Sequence, residues 1–110
     1  MNKDAKIAKE TIKVGIEALK KLSNSLNHSV QFSKAVDLCA KANKIGITGI
    51  GKNKDISLYV GNLMSSLNIG AIGMSLQDIA HGGLGFFSKK NDILIIFSKS
   101  GQSSELSIDL

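Results

Sequence analysis

Apolar residues recur every three or four positions through the first 26 residues, at Ala8, Ile12, Ile16, Leu19, Leu22 and Leu26, with lysines and glutamates between them. That period predicts an amphipathic helix over residues 3 to 26, ended by the polar run Ser23-Asn24-Ser25 and Asn27. A second helix is predicted from about His28 to Asn43, with Phe32, Ala35, Val36, Cys39 and Ala42 on one face. Lys41 and Lys44 near its end suit the negative pole of a helix dipole. The period then changes. Ile45 to Thr48 reads as a short strand closed by Gly49, Ala71 to Met74 as a second and Ile93 to Phe97 as a third. Between the first two strands, about Lys54 to Leu67 predicts a helix that packs Ile56, Val60, Leu63 and Leu67. Asn68-Ile69-Gly70 is a turn, His81-Gly82-Gly83-Leu84-Gly85 a glycine-rich loop, and Ser88 to Asn91 a polar turn. Ser104 to Leu110 opens a fourth helix, with Ser103 or Ser104 as its N-cap.

The resulting order, α-α-β-α-β-loop-β-α, has helices crossing over between short apolar strands, which implies a parallel sheet. Such sheets need cover on both faces, and three strands with one trailing partial helix supply little. The expectation is therefore an incomplete α/β domain, helical over residues 1–43 and α/β over residues 44–110. Tyr59, Met64 and Met74 are expected in packed or half-buried positions, and His28 as an N-cap or surface residue.

Composition narrows the function classes. With 43% hydrophobic and 21% charged residues the chain is globular. The lone Cys39 cannot form an internal disulfide and reads as a small core residue. No apolar run approaches the roughly 18 residues of a membrane span, and lysines at 3, 6, 9 and 13 interrupt any signal-peptide core. A cytoplasmic location without membrane contact is expected. The net charge is +5, but all fourteen basic residues are lysines, spread over helical surfaces. Base readers favour the arginine fork, so nucleic acid is disfavoured and anionic metabolites suit the charge.

Two glycine-rich turns carry the candidate chemistry. Gly49-Ile50-Gly51-Lys52-Asn53 follows the first strand, and Ser98-Lys99-Ser100-Gly101-Gln102-Ser103-Ser104-Glu105 follows the third. Both offer backbone N–H groups at the carboxyl end of a strand, where open α/β sheets bind phosphorylated ligands. Ser98, Ser100, Ser103 and Ser104 around Gly101 can wrap a phosphate with hydroxyls and amides. Each residue also has a plain structural reading: Lys52 a solvated loop lysine, Glu105 a carboxylate complementing a helix dipole, His81 a loop cap, the serines turn formers.

The turns, together with Ala80-His81-Gly82-Gly83-Leu84-Gly85, resemble the sugar isomerase (SIS) domain, and within it the arabinose-5-phosphate isomerases, over roughly residues 10 to 110. The resemblance implies a flavodoxin-like three-layer α/β/α sheet of five parallel strands, of which three are present here. It implies interconversion of ribulose 5-phosphate and arabinose 5-phosphate, a step toward the Kdo sugar of lipopolysaccharide or capsule. By the same resemblance Glu105 is the base or proton shuttle, Lys52 the electrostatic partner, and His81 binds the sugar or helps open its ring. Gly49, Gly51, Ser98, Ser100, Gly101, Gln102, Ser103 and Ser104 would hold the phosphorylated substrate. No metal and no cofactor are expected, and the family's full-length members imply a homo-oligomer, a tetramer, often with a paired CBS domain. The chain departs from the family pattern at three places. Asn53-Lys54-Asp55 stands for Ser-Gly-His, Ser75-Leu76 for His-Pro, and Gly83 for aspartate. These substitutions support a second expectation, a phosphosugar-binding module without catalysis.

Overall fold

The computed structural model describes residues 1–80, 83, 87 and 91–100. The chain divides into two compact units, Met1–Val36 and Asp37–Leu110. In the first, α1 spans Lys3–Ser25; the Asn2 side chain accepts a hydrogen bond from the Ala5 N–H at 2.7 Å and so caps its first turn. Helix α2 spans Val30–Lys41. Ser29 begins it, its hydroxyl accepting from the Phe32 N–H at 3.1 Å, so Ser29 and not His28 is the cap, and His28 is exposed.

The apolar stripe of α1 is present as the pattern predicts, but α1 buries none of its residues: Ile12 is 62% and Leu19 67% exposed. Periodicity guarantees an apolar face and says nothing of what meets it. Cys39 is half-buried.

The second unit is built on three parallel strands, β1 (Lys44–Gly49), β2 (Ala71–Gly73) and β3 (Asp92–Phe97), in the order β2-β1-β3. This confirms the α/β class. In the register, Ile45 faces Ala71 and Ile93, and Ile47 faces Gly73 and Ile95. Alternation puts these residues on one face of the sheet. The start of the β1–β3 pair is pinned by Asp92, whose carboxylate accepts from the Lys44 N–H at 3.1 Å and lies 3.6 Å from the Lys44 ammonium.

Helix α3 (Asn53–Ser66) crosses over between β1 and β2 and packs on that face. Here the expected packing is overturned. Ile56, Leu63 and Leu67 are exposed, as is Tyr59, while Val60 and Met64 are half-buried. The residues that α3 buries are Ser57 and Gly61. A Cβ on Gly61 would lie 2.6 Å from the Gly73 nitrogen, and one on Gly73 2.6 Å from the Ser57 carbonyl oxygen. Helix and strand meet backbone to backbone, so small residues occupy the seam and the large ones are turned outward. The helix ends in a Schellman motif: Asn68 takes φ 63°, the Asn68 N–H donates to the Ser65 carbonyl and the Ile69 N–H to the Met64 carbonyl.

On the opposite face, Gly46 lies under the Phe87 ring, where a Cβ would come within 2.5 Å of the ring edge. A short helix missing from the sequence reading, α4 (Leu76–Ala80), follows β2. Ser75 caps it, its hydroxyl accepting from the Asp78 N–H at 3.0 Å. The signal was legible, since Ser75-Leu76-Gln77-Asp78 has the Ser-x-x-acid form of a helix start. Leu76 and Ile79 join Ile45 and Ile47 in the buried core. Among the described residues no strand lies on the far side of β3, and no helix is long and apolar enough to cross a membrane.

Candidate functional site

Because the three strands are parallel, their carboxyl ends share one edge of the sheet. The turn after β1 stands between those after β2 and β3. It is tied to both sides: the Ile50 N–H donates to the Phe97 carbonyl at 3.4 Å, and the Met74 N–H to the Ile47 carbonyl at 2.9 Å. The two glycine-rich turns singled out in the sequence therefore leave neighbouring strands, with Gly49 paired opposite Phe97.

Gly49 is buried, and a Cβ there would meet Asn53 Cβ at 2.5 Å and the Asn53 carbonyl oxygen at 2.7 Å. Its hydrogen lets the first turn of α3 fold back over the strand end. Gly51 takes φ 62°, a left-handed conformation that glycine adopts without strain, with open space around it. The amides of this turn are not all available to a ligand. Asn53, Lys54 and Asp55 donate to the carbonyls of Ile50, Gly51 and Lys52 at 3.1–3.2 Å. Among the described residues no backbone carbonyl accepts from Gly51 or Lys52.

A cavity of about 330 Å³ opens at this edge, at the small end of the range for metabolite sites. Among the described residues its walls are the Gly49–Gly51 turn and Lys54 on one side, and Ser75, Leu76 and Gln77 on the other. Lys52 occupies the N-cap position of α3, makes no capping bond, is exposed and is not in the wall. Lys54, Ser75 and Gln77 were not among the candidate site residues in the sequence reading. Lys54 and Ser75 were marked only as departures from the family pattern, and nothing marked Gln77, because the strand pairing that brings residue 54 opposite residue 75 is not local. Neither Lys52 nor Lys54 forms an ion pair among the described residues.

Ser98 is half-buried and Ser100 exposed at the end of β3. His81, Gly101, Gln102, Ser103, Ser104 and Glu105 lie outside the described residues. Gly83, within the histidine loop, rests against α4, where a Cβ would lie 2.9 Å from the Asp78 carbonyl oxygen. An aspartate at 83 would have to displace that backbone. Next to the edge, Thr48 is fully buried near the end of β1, and among the described residues its hydroxyl has no hydrogen-bond partner.

Against known proteins, the chain is 35% identical over 103 residues to the arabinose 5-phosphate isomerase KdsD of Francisella tularensis subsp. tularensis. The match covers 90% of this chain and 31% of that protein. It is 31% identical over 101 residues to an uncharacterized protein of Rickettsia prowazekii, covering 91% of this chain and 31% of the other. The chain thus spans about a third of the length of the curated relatives it matches. No family profile matches it, and no solved structure matches it.

Proposed function

We propose that this chain binds a phosphorylated sugar at the carboxyl edge of its sheet and serves an aldose–ketose isomerase that interconverts ribulose 5-phosphate and arabinose 5-phosphate. The observation that carries the reading is the cavity at the carboxyl edge of the sheet, walled by the turn after β1 and by Ser75, Leu76 and Gln77 after β2, with the turn after β3 leaving the strand that pairs with β1 on its other side. The similarity to KdsD supports the choice of reaction. In this reading the turn after β3, with Ser98, Ser100, Gly101, Gln102, Ser103 and Ser104, holds the phosphate. Gly49 and Gly51 let the backbone approach the sugar. Isomerisation needs a base for the C2 proton and a cation for the developing oxyanion. Glu105 is the base, His81 contacts the sugar, and a lysine of the turn after β1 supplies the charge, Lys52 being the sequence expectation. The product feeds the Kdo branch of surface polysaccharide synthesis, in the cytoplasm and without an added cofactor.

The test is turnover of arabinose 5-phosphate to ribulose 5-phosphate by the full-length protein, followed in both directions. We expect reversible conversion. Phosphosugar binding without turnover would leave the non-catalytic module, the reading that Asn53, Lys54, Asp55, Ser75 and Gly83 favour by standing where the isomerases carry other residues.

Self-association belongs to the same proposal. It is supported by the exposed stripe of α1 and by the apolar strand β3, which pairs on one side only among the described residues. Light scattering is expected to report an assembly of several copies; a monodisperse monomer at high concentration would remove this part.

A further inference from the structure

We infer that the apolar stripe of α1 is the seam of a two-fold, antiparallel helix pair formed with a second copy of this chain, centred near the midpoint of the helix. The inference rests on the self-association proposed above and names the surface that carries it.

Three observations carry it. First, α1 presents a face that nothing covers. Ile12, Leu19 and Leu22 are each more exposed than buried, α1 buries no residue, and among the described residues α2 does not pack along it. A helix in water draws most of its stability from packing its apolar face, so this face is built for a partner. Second, the stripe is complementary to itself in size. Ala5, Ile12, Leu19 and Leu26 form one row at seven-residue spacing, and Ala8, Gly15 and Leu22 form another three residues on. These are the two rows of a coiled-coil seam. In an antiparallel pair the first row of one helix lies beside the second row of the other. Set about the midpoint of Lys3–Ser25, that register puts Ile12 beside Gly15, Leu19 beside Ala8, and Leu22 beside Ala5 of the second copy. Each of these layers joins a large side chain to a small one, as close packing requires. A parallel pair would set each residue against itself, and its leucine layers would hold the Ala8 and Gly15 layers apart. Gly15 gains a reason in this register. A Cβ there would meet nothing within 4 Å in the chain, and glycine is a poor choice for a helix interior unless something must approach closely. Third, the charges permit the pair. At 100° per residue, Lys6, Lys13, Lys20 and both glutamates of α1 point away from the two rows. Along the borders of the seam Lys9 lies beside Ile16, Thr11 beside Ala18, and Asp4 beside Ser25 of the second copy, so no like charges meet. The lysine stem adds apolar cover, and the opposed helix dipoles bring unlike poles together.

A two-fold pair of this kind uses the same patch on both copies, so every contact occurs twice and the interface closes at two. The α1 seam therefore accounts for a dimer, and any larger assembly needs a second surface.

The experiment uses the full-length protein with its native cysteines, Cys39 among them, replaced by serine. Ala8→Cys, Leu19→Cys and the double variant are each treated with a mild thiol oxidant. Within one chain the two positions lie about 16 Å apart along the helix, beyond the reach of a disulfide. We expect disulfide-linked dimer from the double variant and almost none from either single variant. Gly15→Leu fills the space that Ile12 of the second copy requires. It should raise the dimer dissociation constant at least about tenfold by light scattering, with the helical circular dichroism retained. Linkage of each single variant to itself means a parallel pair and overturns the inference. So does an assembly of several copies without linkage in the double variant, which leaves self-association to another surface. In that case cosedimentation with phosphatidylglycerol vesicles would assign the lysine-bordered stripe to a lipid surface instead. A monomer at high concentration removes the seam and the self-association together. Turnover of arabinose 5-phosphate, measured on the same proteins, decides the isomerase reading separately.

Discussion

Gly73→Ala is expected to destabilise the α/β unit by about 1–3 kcal/mol, the cost of forcing extra atoms into a packed interior. The added methyl would lie 2.6 Å from the Ser57 carbonyl oxygen, 2.7 Å from Leu58 Cα and 2.9 Å from Ser57 carbon. All three are backbone atoms of α3, so no side chain can swing away; the helix must lift off the strand. Gly61→Ala presses on the same seam from the helix side, 2.6 Å from the Gly73 nitrogen. Once either substitution has moved the helix, the second has less to displace. The double variant should therefore lose less than the sum of the two single losses. Urea unfolding of the full chain checks this through a lower midpoint at unchanged slope. A midpoint equal to wild type for Gly73→Ala would mean that α3 is not held against β2 as described.

Gly49→Ala is expected to cost at least about tenfold in affinity for arabinitol 5-phosphate, with a smaller effect on stability. The reason is again the distance to backbone: the methyl would meet the Asn53 carbonyl carbon and oxygen, each at 2.7 Å. Asn53 is the first residue of α3, so the turn must open, and the cavity wall formed by Gly49, Ile50, Gly51 and Lys54 opens with it. Displacements of this size at a binding site cost far more in function than in fold. Gly51 is the control. Its constraint is conformational, φ 62°, with nothing within 4 Å of an added Cβ. Gly51→Asn, a residue that tolerates the left-handed region, should therefore retain most of the affinity. Calorimetry on the three proteins decides it. Equal affinity in Gly49→Ala and wild type would detach the turn after β1 from ligand binding.

The elements of the fold were legible because they follow from local chemistry. The change from a three-to-four-residue period to short apolar runs located every described strand, and the observed boundaries of the three strands and the first three expected helices differ from the expected ones by two residues at most; the helix expected from Ser104 to Leu110 lies outside the described residues. The parallel class followed from helical crossovers. The small helix α4 was overlooked although its capping signature was present, since five residues are too few to show a period.

The candidate site was legible as two turns and no further. Gly49 and Gly51 were singled out by composition and are needed for different reasons, a close approach in one case and a left-handed backbone in the other. That Lys54, Ser75 and Gln77 share one cavity wall was not legible: Lys54 and Ser75 stood out only as departures from the family pattern, and Gln77 not at all.

Where helices and strands begin and end is settled by forces between residues a few positions apart, and the order of amino acids along this chain carries that information in full view. Which face of α3 is inward is another matter. The apolar residues Ile56, Leu63 and Leu67 would each serve as a buried stripe on local grounds. The choice went to Ser57 and Gly61 because β2 presents a glycine at the crossing point, and two backbones that approach this closely exclude anything larger. The cavity arises in the same way. Parallel pairing of β1 with β2 sets residue 54 across from residues 75 to 77. Such a distance between remote segments exists only once the sheet has formed.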